Sequence, residues 1–456
     1  MDSILSLNHS AVEQYFQQLY PNYSVKRIEC TQGQGNIYLE PVTEAICPDC
    51  GRECSKVHQR IPRSIREVPL PGQLYSTVHV DIRRVKCTHC GSRKQERLDW
   101  VANMARLTKR FAIYLQAHLR VSGTTNSSLA LKHNLAWTTI KNLDKQQLEY
   151  YFNGIDLTEV HYLAIDEFSI KKGHAYATAF MDLETGRIIH VCEGRTVEKV
   201  RHFFEHLINK GLEDQIEMVC VDMHAGYHSL VKEYLPQAVV VYDLFHVMQH
   251  FGQDVLKAAV SSCARSFSQN HQQKLVRGYR RQLRKSSWFI LASNSSPLKH
   301  ADSKTYYEEI IRDNELLFML QPIADLLRGI WQAEDMIEAS NRLDDVVGLL
   351  DEVQKKFKFP AAGKFKRMLT KRAKEIVKAC LFKGFGTNRL EGANAKIKNI
   401  KRSGYGFRDM KYFFLKIKGA LPGDGINPWN YLTDEMGILT GKVQTCIITG
   451  RFASSG

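Results

Sequence analysis

The sequence predicts a multidomain α+β protein in which a mixed sheet is followed by a long α-helical block. Three observations point there: two Cys-x-x-Cys pairs in the first hundred residues, short apolar runs ending in acids between residues 158 and 250, and no strand pattern from Phe251 to Leu381. A chain of 456 residues has room for about three domains and a sizeable core. The expected segments are 1–100, 101–152, 158–250, 251–380 and 381–456.

In the first segment, Cys47-Pro48-Asp49-Cys50 and Cys87-Thr88-His89-Cys90 are separated by 36 residues, and Gly51 and Gly91 follow them. Two-residue spacing lets both thiolates of a knuckle reach one ion, and the glycine permits the tight turn. Two knuckles then complete a tetrahedral, zinc-ribbon-like structural Zn2+ site from Cys47, Cys50, Cys87 and Cys90. Cys54, His58 and His89 are spare ligands nearby, so a mixed set stays open, as does the plainer reading of four core thiols. Four closed ligands leave no position for catalysis. Val78, Val80 and Ile82 alternate and predict a strand over Ser76 to Val85.

Residues 101–152 predict helices. Phe111, Ile113, Tyr114, Leu115 and Leu119 form a largely helical stripe, and Thr125 to Leu143 reads as a short helix, a turn near Asn134 and a second helix from Trp137. This is a helix-turn-helix outline whose second helix would offer Thr138, Thr139, Lys141 and Asn142 to a DNA groove. A helical hairpin joining two domains is the competing reading.

From 158 to 250 the expected order is β-β-β-α-β-α-β. Val160 to Ile165 is a strand expected to end at Asp166, a meander follows to Cys192, and Ile216 to Val221 ends at Asp222. Ala238 to Tyr242 ends at Asp243. A site in such a sheet lies beyond the carboxyl ends of central strands. Asp166 and Asp222 would then be neighbours, and adjacent carboxylates repel unless a cation sits between them. Carboxylates suit Mg2+ or Mn2+, and two such ions clamp both oxygens of an in-line phosphoryl displacement. Against this, strand-end aspartates often merely cap the next turn.

The helical segment after Phe251 carries Arg277, Arg280, Arg281 and Arg284, several on one face, which suits phosphates. Trp288 follows that face; it could stack a base, although a core position is expected for it. Charge is unevenly spread. Phe251 to His300 holds nine basic residues and one acid, Ala361 to Ala420 seventeen and three, and the whole chain is +15. Dense basic blocks of this kind indicate a polyanionic partner. After Gly384 and Gly386, Asn388 to Arg402 reads as a helix with Glu391 in its first turn, Asn394 on the same face, and Lys396, Lys398, Lys401 and Arg402 alongside. A first-turn glutamate that only caps its helix is the bland alternative.

The first twenty residues lack a basic stretch followed by an apolar run, and no segment reaches about eighteen uninterrupted apolar residues, so a cytoplasmic protein without a membrane partner is expected. Eleven cysteines in that reducing compartment indicate thiols or metal, not disulfides.

The set Ala164-Ile165-Asp166-Glu167, Val221-Asp222-Met223-His224, Asp243-Leu244-Phe245-His246 and Asn388-Arg389-Leu390-Glu391-Gly392-Ala393-Asn394, with its Lys/Arg tail, resembles the DDE transposases of bacterial insertion sequences. The similarity is to the branch with an N-terminal zinc-binding domain and helix-turn-helix ahead of a ribonuclease-H-like catalytic domain. It implies that Asp166, Asp222 and Glu391 hold two Mg2+ (or Mn2+) ions and that Asp243 is an accessory acid. It also implies an inserted domain before the last helix. The implied activity is binding of the element's terminal inverted repeats in double-stranded DNA, metal-dependent cleavage, and strand transfer into target DNA. A homodimer in the synaptic complex, associated with the nucleoid, goes with it. A ribonuclease-H-like nuclease or resolvase without strand transfer, or a non-catalytic DNA-binding protein, would carry similar residues.

Overall fold

The computed structural model describes residues 15–424 except 17, 32, 97, 103–105, 121–122, 172–174, 224, 270, 292–307, 384 and 386–387. The expected C-terminal tail, 425–456, lies outside the described residues. Two compact units are present, one ending at Gly154 and one beginning at Ile155.

The first unit is built on a sheet of β1 (Tyr23–Thr31), β2 (Gln34–Pro41), β5 (Val57–Glu67) and β6 (Tyr75–Lys86) in the order β1-β2-β6-β5. Short β7 (Arg93–Gln95) pairs with the far end of β6, and β3 (Ala45–Ile46) pairs with β4 (Glu53–Cys54). Only β6 was expected from the sequence. In β5 the polar residues outnumber the inward-facing Ile61 and Ile65, so its alternation is hidden. Ile37, Leu39, Ile65, Val78 and Val80 pack with Tyr20, Tyr23 and Trp100.

Among the described residues, three helices follow the sheet: α1 (Lys109–His118), α2 (Asn126–Lys132) and α3 (Trp137–Phe152). Thr125 and Ser128 form a reciprocal capping box at the start of α2, and Asn134 takes the left-handed conformation (φ 47°) in the turn before α3. Phe111, Leu115, Leu129, Ile140 and Leu143 form their common core. Arg66 of β5 donates to the carbonyl of His133 at 2.7 Å, tying the turn to the sheet.

The second unit follows the expected order. Its strands β8 (Tyr162–Lys171), β9 (Ala175–Asp182) and β10 (Ile188–Glu193) form an antiparallel meander. Helix α4 (Val197–Asn209) leads to β11 (Met218–Val221), and α5 (Ala225–Tyr234) leads to β12 (Val239–Tyr242). The sheet order is β10-β9-β8-β11-β12, with β8, β11 and β12 parallel. Then come α6 (Leu244–His250), a π-helical turn (Phe251–Leu256), α7 (Lys257–Ser268), α8 (Gln273–Leu291), α9 (Glu315–Ile330), α10 (Met336–Phe357), α11 (Pro360–Lys371) and α12 (Ala373–Lys378). The chain ends its described part with α13 (Asn388–Ser403) and α14 (Met410–Ala420).

Alternation along the strands sorts the two faces. Leu163, Ile165, Val219, Val221, Val240 and Tyr242 face a core shared with α4, α5 and the helical insertion. Ala164, Phe168, Met218, Cys220 and Val241 face Leu390, Ala393, Ile397, Phe413 and Ile417 of α13 and α14. None of the described helices is long and apolar enough to cross a membrane.

Two expectations are corrected. Asp166 does not end its strand: β8 runs five residues further because its hairpin partner β9 continues alongside, and only the parallel pairing with β11 stops at Ile165. Trp288 is not a core residue; it is 58% exposed, because α8 buries Leu283, Ser286, Ser287 and Ile290 instead.

Candidate active site

The parallel ladders fix where the acids fall. Ile165 pairs with Val221, and Val221 with Tyr242, so Asp166, Asp222 and Asp243 each come one residue past the same rung on three adjacent strands. By alternation they belong to the face that carries α13, since Ala164, Cys220 and Val241 two residues earlier all pack there.

Asp166 is buried, and donors surround its carboxylate. Oδ2 accepts from Asn394 Nδ2 at 2.5 Å, and Oδ1 accepts from the amide of Glu167 at 2.8 Å. His246 Nε2 lies 3.4 Å from Oδ1 and 3.9 Å from Oδ2 of Asp243. Burial alone would raise the Asp166 carboxyl, but the bonds from His246 and Asn394 hold it below the usual carboxylate range. Burial likewise disfavours a charged His246. The hydrogen bond to Asp166 and the charges of Asp243, Asp166 and Asp222 outweigh it and raise the imidazole to about 9. The charge of these carboxylates is met here by His246, with Asn394 holding Asp166.

Asp243, also buried, does two things at once: it caps α6 by accepting from Phe245 N at 2.7 Å, and it adds its charge to this group. Sequence reasoning missed His246. Its signal was position, three residues after an N-cap aspartate and so on the same face of the helix.

Helix α13 is pinned to β8 at two points, by Asn394 on Asp166 and by Lys401 Nζ on the carbonyl of Ser169 at 2.9 Å. Glu391 lies one turn before Asn394, exposed, and makes no hydrogen bond or ion pair among the described residues. Lys396, Lys398 and Arg402 are exposed on the same helix, whereas Lys401 is partly committed to its carbonyl. The structure therefore brings Asp166, Asp222, Asp243, His246 and Asn394 together and places Glu391 on the helix docked beside them. Among the described residues, only the four cysteines bring three or more candidate metal ligands within 4.8 Å of one another.

That cysteine group is Cys47, Cys50, Cys87 and Cys90, with Cys47 and Cys90 sulfurs 3.6 Å apart and Cys50 and Cys87 likewise. The two knuckles are built alike: Gly51 N bonds Cys47 O and Gly91 N bonds Cys87 O, and both glycines have positive φ. Backbone amides of Cys90 and His89 aimed at the Cys87 sulfur lower its thiol to about 6, despite some desolvation. Four thiols with amide support suit a soft or borderline cation. Of the spare ligands, Cys54 is buried with its thiol pushed up to about 11, first by burial, and His89 Nδ1 lies 3.1 Å from Arg52.

In the helical segment of the first unit, Thr138 and Asn142 are exposed and Thr139 and Lys141 half-buried. On α8 all of Arg277, Arg280, Arg281 and Arg284 are exposed.

A family model described as transposase matches residues 163–417. The transposase for insertion sequence element IS1001 of Bordetella parapertussis is 31% identical over 409 residues, covering 89% of this chain and 97% of that protein. The chain belongs to the transposases of bacterial insertion sequences. The family match begins inside β8 and ends inside α14, so it takes in Asp166, Asp222, Asp243, His246, Glu391 and Asn394 together with the whole helical insertion. The cysteine knuckles and the α2–α3 hairpin of this transposase lie ahead of that match.

Proposed function

We propose that this transposase binds the terminal inverted repeats of its own element and cuts them by metal-dependent phosphodiester hydrolysis. It then joins the freed 3′ hydroxyl to target DNA. The observation that carries this reading is the convergence of Asp166, Asp222 and Asp243 on one sheet face with α13 docked through the Asn394–Asp166 bond. We read the sheet as ribonuclease-H-like, with Asp166, Asp222 and Glu391 as metal ligands and the insertion running from residue 251 to 380.

Carboxylate oxygens fit Mg2+ or Mn2+, and a pair of such ions about 4 Å apart supplies an activated water and charge stabilisation of the leaving oxygen. Asp166 and Asp222, adjacent in the sheet, would hold such ions, with Glu391 contributing from its helix. Asn394 orients Asp166 by holding one oxygen. Lys396, Lys398 and Arg402 bind the phosphate backbone alongside, with Lys401 fixing the helix. In the first unit Cys47, Cys50, Cys87 and Cys90 hold a structural Zn2+, and α3 presents Thr138, Thr139, Lys141 and Asn142 to the repeat. Arg277, Arg280, Arg281 and Arg284 hold DNA along α8. Two ends are held in a homodimeric synaptic complex.

The test uses linear duplex DNA carrying the element's ends, with and without Mg2+, mapping 3′ ends and joined products. Asp166→Ala is expected to lose cleavage by more than about a hundredfold, a loss that even supporting residues of metal sites can cause, while end binding stays intact. A variant that still nicks terminal DNA at the normal rate refutes the assignment, and nicks without joined products remove the strand-transfer step.

A further inference from the structure

The helical insertion reaches back to the acid-bearing strand ends at two points. Arg372, at the junction of α11 and α12, donates from Nη2 to the carbonyl of Met223 at 3.0 Å. Trp331, which closes α9, donates its indole N–H to the carbonyl of Tyr242 at 3.3 Å. Met223 directly follows Asp222, and Tyr242 directly precedes Asp243. These carbonyls lie at the end of the parallel ladder, whose last bond runs from Asp243 N to Val221 O at 3.2 Å.

A second layer holds the same region. His228 of α5 pairs with Glu375 of α12 at 3.1 Å, and its ring stacks on Tyr242 with centroids 6.3 Å apart. Arg372, Glu375 and His228 are all half-buried, and Trp331 packs against the cores of both sheet faces. The Tyr242 carbonyl belongs to the peptide that carries the Asp243 amide, and the Met223 carbonyl lies one peptide beyond the Asp222 α-carbon. Restraining those peptides restrains where the two carboxylates aim.

We propose that Arg372 and Trp331 are positioning residues through which the helical insertion sets the cation-binding geometry of Asp222 and Asp243. Resting on the metal-dependent reading above, this makes the insertion a part of the active site and more than a platform for DNA.

The experiment compares the full-length, zinc-loaded protein with Arg372→Met, Arg372→Lys and Trp331→Phe. Free Mn2+ is counted by electron paramagnetic resonance during titration, alongside cleavage of linear end DNA and end binding in Ca2+. Arg372→Met is expected to raise the Mn2+ concentration for half-occupancy about tenfold, the lower end of the range for lost supporting contacts at metal sites, and Trp331→Phe, which loses a longer bond, about threefold. Arg372→Lys should recover part of the loss, with end affinity unchanged within about twofold. Unchanged Mn2+ occupancy in both Arg372→Met and Trp331→Phe overturns the proposal, provided that Asp222→Asn loses it. End binding that falls in step with cleavage at unchanged occupancy also overturns it. Should Arg372→Met fail to fold, Arg372→Lys and Trp331→Phe decide on the same readout. If Asp222→Asn itself binds Mn2+ and cleaves normally, the active-site reading has failed, and this one falls with it for a separate, visible reason.

Discussion

Burying a carboxylate in mid-strand is costly unless donors meet it, and Asp166 has Asn394, His246 and the Glu167 amide. Asn394 joins that bond to a helix 228 residues away in sequence, so its loss affects both aim and docking. Asn394→Ala is expected to slow cleavage about tenfold and to lower stability by about 1 kcal/mol, measured by end cleavage and by thermal melting. His133 shows the opposite strategy. It is 2% exposed, neither ring nitrogen has a hydrogen-bond partner among the described residues, and its ring meets Phe111 and Tyr114 edge-on. Burial first, then the charges of Lys132, His118 and Arg66, lowers its pKa to about 4. Between that value and the ordinary 6.5 the unfolded chain binds more protons than the folded one. Stability from neutral His133 is therefore complete above about pH 6.5 and falls toward pH 4, by on the order of 2 kcal/mol. His133→Leu should flatten that acid limb in a melting series from pH 4 to 7.

At the scale of elements, the 36 residues between the cysteine pairs looked long for a zinc ribbon. The distance closes because β5 and β6 run out and back as one antiparallel hairpin, paired from Val57↔Val85 to Glu67↔Ser76, whose open end returns Cys87 to Cys50. On helix α8 the four arginines are exposed, and Trp288, expected in the core, is exposed as well. Alternation of charge and apolar residues marked a helix, but which face the rest of the fold would cover was not local information. Arg277 and Arg281 are exposed and have no acid partner among the described residues. Arg277→Ala with Arg281→Ala is expected to weaken DNA binding and to lower the slope of log affinity against log salt by about 2, with the melting temperature unchanged. A slope equal to the wild type would remove α8 from the DNA contact.

At the scale of the whole molecule, the clustered cysteines and the strand-end carboxylates belong to different compact units, the cysteines before Gly154 and the carboxylates after Ile155. Removing Zn2+ with a chelator is expected to lower the melting transition of the first unit by more than about 5 °C, because a structural site contributes folding energy directly. The transition of the second unit should stay in place, and a single shared shift in calorimetry would show that the units do not melt independently. Within the second unit, the sheet and the helical insertion share one core running from Val219 and Tyr227 to Leu327 and Leu350. The described helices from Lys257 to Lys378 therefore pack on the same core as the strands.

Local periodicity, turn residues and spacing are properties of neighbouring residues, and they determined the element order of the second unit's sheet, the pairing of β8 with β11, the cysteine quartet and the acids at Asp166, Asp222 and Asp243. Tertiary structure alone decided what depends on distant partners. It extended β8 past Asp166 because β9 continued beside it, and it left Trp288 outside because other residues filled the core. It also brought His246, Asn394, Trp331 and Arg372 to the same strand ends. Trp331 and Arg372 carry no local pattern that marks their destination, since a side chain's partner across 89 or 149 residues is fixed only when the elements between them pack.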